Sequence, residues 1–62
     1  MPMTPKQMVK LLKKNGFVKL RQDGSHLFMF NEITNKRTTV PMHNKDLAKG
    51  IEHAILKQAG LK

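Results

Sequence analysis

The chain has 62 residues, with twelve Lys and Arg against four Asp and Glu, a formal net charge of +8 and no cysteine. Such a length makes one small domain, residues 1–62, which buries only about 60% of the surface its unfolded chain exposes. The lack of cysteine excludes disulfides and thiolate metal sites. No apolar run approaches the ~20 residues of a membrane span, and the N-terminus lacks the apolar segment of a secretory signal, so a soluble cytoplasmic protein is expected.

The sequence pI is near 10.4. A field this basic in so small a body attracts polyanions, and nucleic acid is the expected partner class. A merely solubilising surface, an acidic protein or an anionic membrane are the plainer alternatives. The basic residues are spread along the chain instead of forming a tail, so the field belongs to a folded surface.

In chain order, Thr4-Pro5-Lys6-Gln7 reads as a helix start. Thr4 can cap, Pro5 suits the first helical position, and Gln7 completes a capping box. Met8, Leu11 and Leu12 recur at helical spacing, which predicts a helix from Pro5 to about Lys14, stopped by Asn15-Gly16. Its lysines read as a solvated face. Phe17 to Gln22 predicts a strand with Val18 and Leu20 on one face and Phe17, Lys19 and Arg21 on the other, although Phe17 can also pack against the end of the helix.

Asp23-Gly24 is the strongest hairpin signal, and Ser25 to about Phe30 predicts the second strand. After the polar stretch 31–36, Arg37-Thr38-Thr39-Val40 predicts a third strand, stopped at Pro41, which has no N–H to give to a ladder. A second helix is predicted from near Asn44, with Leu47, Ile51, Ala54 and Ile55 on its apolar face and Gly50 on the same side, permitting close approach to the sheet. Gly60 is its expected C-terminal cap. The expected fold class is therefore α+β, α-β-β-β-α, with a three-stranded antiparallel sheet, both helices on one face and the other face open.

His26 is the candidate catalytic group, because imidazole is the side chain that ordinarily takes and gives protons near neutral pH. It follows a turn in which Gly24 permits unusual backbone geometry and Ser25 can hydrogen-bond locally. Two parities are open for the second strand. Either His26, Phe28 and Phe30 face the core, as burial of large aromatics favours, or Ser25, Leu27 and Met29 do. Composition does not choose between them.

The sequence resembles the HicA-type mRNA interferase toxins of bacterial toxin–antitoxin pairs across nearly its whole length. The resemblance rests on the helix exit Asn15-Gly16-Phe17, the run Arg21-Gln22-Asp23-Gly24-Ser25-His26, the segment Thr39-Val40-Pro41-Met42-His43 and the ending Ile55-Leu56-Lys57-Gln58-Ala59-Gly60-Leu61. It implies a double-stranded-RNA-binding-like fold, metal-independent endonucleolytic cleavage of RNA with His26 catalytic, no cofactor, and inhibition by a HicB-like antitoxin. It also tips the parity outward for His26, which exposes Phe28 and Phe30 as an apolar docking surface for that antitoxin; the alternative for Phe28 is stacking on an RNA base, as aromatics do on single strands.

Lys19, Arg21 and Arg37 are chosen as RNA-binding cations from the strands beside His26, and Ser25 and His43 join them, His43 from a stretch resembling the family's Val-Pro-x-His. His53 falls off the apolar stripe of the second helix and reads as a surface residue. The three histidines, 17 and 10 residues apart with no cysteine, match no zinc pattern. The alternative reading is a non-catalytic RNA- or DNA-binding module, compatible with the same charge and fold.

Overall fold

The computed structural model describes residues 3–42 and 46–61. Its order is α1 (Pro5–Lys14), β1 (Val18–Asp23), β2 (His26–Asn31), β3 (Lys36–Pro41) and α2 (Lys49–Gln58). The three strands form one antiparallel sheet in the order β1-β2-β3. This is the α-β-β-β-α, double-stranded-RNA-binding-like arrangement expected from the sequence.

The start of α1 is built by a reciprocal cap. The Gln7 amide donates to Thr4 Oγ1 at 3.2 Å and the Thr4 amide to Gln7 Oε1 at 2.9 Å, with Pro5 at the first helical position. Pro5, Met8, Val9 and Leu12 are the residues that α1 buries, the last three in the core. Its exit is a left-handed cap. Gly16 has φ +95°, its amide donates to the Lys13 carbonyl, and the Phe17 amide reaches back to Leu12. That geometry brings the residue after the glycine onto the last turn of the helix. Phe17 is accordingly only 2% exposed and belongs to the core instead of to β1, which begins at Val18.

The core lies on one side of the sheet. Leu27 and Met29 of β2 and Val40 of β3 meet Met8, Val9, Leu12, Phe17, Leu47, Ile55 and Ala59 in a single cluster. Both helices therefore cover the same face. Along β2 burial alternates, with Leu27, Met29 and Asn31 buried and His26, Phe28 and Phe30 at least partly open. The outward parity for His26 is the one adopted. A buried aliphatic pair facing the helices leaves the aromatics on the uncovered side.

Several expectations change. In β1, Lys19 pairs with Met29 but Arg21 pairs with Phe28, so Leu20 is an extra residue, a β-bulge. A bulge inverts the side-chain alternation beyond it. Arg21 thus joins Val18 on the open face, whereas strict alternation had put them on opposite faces.

The strand β3 runs one residue further than expected at each end and includes Pro41 as its last residue, paired with His26. In α2, helix begins at Lys49; Asn44, its expected start, lies outside the described residues. Leu47 enters the core from the segment before the helix, where its amide donates to the Met3 carbonyl at 2.7 Å. The buried residue of α2 is Ile55, followed by Ala59 just past its end, while Ile51 and Ala54 are exposed. Gly50 is also exposed, and a Cβ there would meet nothing within 4 Å, so it makes no close approach to the sheet. The end of α2 repeats the α1 device: Gly60 has φ +76°, and the amides of Gly60 and Leu61 donate to the carbonyls of Lys57 and Leu56.

Candidate functional site

The turn that presents His26 is a two-residue hairpin loop, Gly24-Ser25, between paired Asp23 and His26. Gly24 has φ +61° and Ser25 a negative φ, the signs of a type II′ turn, in which glycine takes the first central position. Gln22 Nε2 donates to the Gly24 carbonyl at 3.0 Å and steadies the loop. The Ser25 carbonyl in turn accepts the Met42 amide, which fastens the chain after β3 to the same turn. His26 then leaves as the first residue of the central strand, exposed, with Asp23 of β1 on one side of it and Pro41 of β3 on the other.

Register builds the surface beside it. Phe28 pairs with Arg21 and Thr39, and Phe30 with Val18 and Arg37. The Arg21 guanidinium lies 5.0 Å from the Phe28 ring centroid, and that of Arg37 lies 5.6 Å from the Phe30 centroid. Both distances are within cation–π range. The arginines thus shield part of two half-buried rings and hold two positive charges above the sheet. A concavity of about 720 Å³ touches Leu20, Arg21, Phe28, Arg37 and Thr39 and continues to Met29, Thr38 and Gln58. His26 does not line it, and because Met29, Thr38 and Gln58 belong to the helix-covered side, the concavity is not confined to the face that carries the imidazole.

Of the residues singled out from the sequence, His26, Arg21, Phe28, Phe30 and Arg37 come together on the open face. Ser25 is half-buried in the turn. Lys19, exposed, is in register with Met29 and so belongs to the opposite side of the sheet from His26. His43 lies outside the described residues. His53 is exposed on α2, which packs on the face away from His26. Asp23 and Thr39 were missed as members of the open face. Counting outward from a two-residue loop places Asp23 opposite His26, so the signal for it was present. Among the described residues no group of three His, Cys, Asp or Glu side chains is arranged to hold a metal ion.

Fold and face together define a small basic domain of double-stranded-RNA-binding-like architecture whose open sheet carries a histidine and two arginine-capped aromatics. The family model described as HicA toxin of bacterial toxin–antitoxin matches residues 5–61, and the chain belongs to that family. It is thereby a toxin, and an antitoxin partner follows from membership. No curated protein matches the chain. No helix among the described residues is long and apolar enough to cross a membrane.

Proposed function

We propose that this toxin is a metal-independent endoribonuclease that cuts mRNA in the cytoplasm, acts as a single domain of residues 1–62, and is held inactive by a HicB-like antitoxin seated on the open face. The observation that carries the reading is the exposed His26 imidazole, at the start of a rigid central strand, on the same face as Arg21 and Arg37. RNA carries its own nucleophile, the 2′-hydroxyl. His26 deprotonates it for attack on the adjacent phosphorus, the bond to the 5′-oxygen breaks, that oxygen takes up a proton from solvent, and a 2′,3′-cyclic phosphate and a 5′-hydroxyl result. Arg21 and Arg37 supply positive charge for the phosphate as its negative charge builds up. Ser25 and His43 belong to the same RNA contact, and Lys19, on the other side of the sheet, contributes to the general field.

The test is cleavage of a long RNA by the unmodified chain and by His26→Ala, each with excess chelator. General acid–base help is typically worth ~10²–10⁴-fold, so the variant is expected to lose at least a hundredfold in rate while still binding RNA. Equal rates remove His26 from the chemistry, and loss of activity with chelator removes metal independence. A second reading, a binding module without chemistry, is favoured by one observation: the concavity that touches Arg21 and Arg37 excludes His26. Unmodified protein that binds RNA and never cuts it decides for the module.

A further inference from the structure

His26, Phe28 and Phe30 occupy every second position of β2 on one face. A strand rises ~3.4 Å per residue, so successive side chains of this row stand about 7 Å apart. Arg21 reaches the Phe28 ring from β1, and Arg37 reaches the Phe30 ring from β3. A chain laid along β2 has a cation on each flank. We propose that this row is a platform for single-stranded RNA: two consecutive bases stack on the Arg21–Phe28 and Arg37–Phe30 pairs, the guanidiniums hold the adjoining phosphates, and the next phosphodiester lies at His26. The proposal deepens the endoribonuclease reading and rests on RNA being its substrate.

Spacing argues for a single strand. Consecutive bases in a duplex strand are stacked ~3.4 Å apart. Rings lying side by side in a sheet surface at twice that distance cannot serve neighbouring bases of a stacked helix, whereas splayed bases of a single strand can lie one to a ring. The order along β2 also places the cleavage point. The phosphodiester at His26 lies at one end of the stacked dinucleotide, not between its two bases.

Charge argues for RNA over a protein segment as the occupant of the two rings. Each ring already carries a guanidinium, and a purely apolar protein surface placed there would bury both charges without partners, which is costly; an antitoxin seated on the same face must bring carboxylates where RNA brings phosphates. A phosphodiester chain brings one anion per nucleotide. Because every base has a π-face, the platform tolerates different sequences.

The test separates binding from cleavage by using the unmodified full chain with a labelled 2′-O-methyl RNA dodecamer, which lacks the internal nucleophile, alone and annealed to its complement. Fluorescence anisotropy is expected to show the single strand bound at least tenfold more tightly than the duplex. Phe28→Leu and Phe30→Leu, which keep an apolar side chain but remove the π-face, are each expected to weaken it about tenfold. Phe28→Trp is expected to bind at least as well as the parent, which keeps the idea falsifiable where a leucine variant fails to fold.

Equal or tighter duplex binding, indifference to both leucine variants, or loss of binding with tryptophan overturns the platform. Unchanged RNA binding together with a weakened antitoxin complex in Phe28→Leu assigns the ring to the protein partner and overturns it as well. Cleavage of unmodified RNA is scored separately. A chain that binds through these rings but never cuts keeps the platform and loses the endoribonuclease reading, while one that cuts yet ignores the rings does the reverse.

Discussion

Asn31 carries much of the polar wiring behind the open face. Its Nδ2 donates to the Asn15 carbonyl at 3.0 Å, and its Oδ1 accepts the amides of Ile33 and Thr34 at 2.9 and 3.2 Å. One buried side chain therefore ties the exit of α1 to the turn after β2, which reverses through Asn35 at φ +58°. Alanine at this position leaves three backbone groups without their partner, although water can reach those of the exposed turn. Removing a partner from a buried polar group costs about 1–3 kcal/mol, and a small domain loses ~4–8 °C of melting temperature per kcal/mol. Asn31→Ala is expected to melt about 10 °C lower by circular dichroism, and an unchanged melting curve would show that solvent replaces all three bonds. The same side chain constrains its neighbour: a Cβ on Gly16 would lie 3.2 Å from Asn31 Nδ2. The left-handed φ there already favours glycine.

At the scale of elements, the two helices are held differently. The first has a reciprocal N-terminal cap and four buried residues; the second follows Ala48, an N-cap residue with no side-chain hydrogen bond, and buries Ile55. Gly50 sits in its first turn with open space around it. Gly50→Ala is therefore expected to stabilise the protein by several tenths to ~1 kcal/mol, through helix propensity and a less flexible unfolded chain. A raised melting temperature checks this, and a lowered one would place Gly50 against something the fold requires. The boundaries of α1 and the existence of all three strands were legible because they rest on local chemistry: Thr4 to Gln7, Gly16, Gly24 and Pro41. The face of Arg21 was not, since a bulge at Leu20 adds one residue without any glycine to announce it. The start of α2 was misread because Leu47 matches the helical spacing of Ile51 and Ile55, yet reaches the core from extended chain. His26 itself was legible as chemistry. Its orientation depends on which β2 residues the helices cover, and that is set by packing across the sheet.

For the whole molecule, the decisive quantity is a charge of +8 on 62 residues, divided between a long-range field and specific contacts. The field steers any polyanion toward the protein and fades with salt. Contacts leave a different signature, because each phosphate neutralised on a single strand releases counterions and adds ~0.7 to the slope of log affinity against log salt. Arg21 and Arg37 lie on the His26 face, whereas Lys13 and Lys14 lie in the last turn of α1, on the helix-covered side, and Lys19 is in register with inward-facing Met29. Converting Arg21 and Arg37 together to Gln is expected to reduce the slope for the uncleavable single strand by about 1.4, the sum for two phosphates. Converting Lys13 and Lys14 together to Gln removes the same charge from the opposite side and is expected to leave the slope nearly unchanged, with a small loss of association rate at low salt. Affinities measured across a range of potassium chloride concentrations separate the two. Equal slope losses from both pairs would mean that RNA wraps the domain, and the open face would lose its standing as the RNA site.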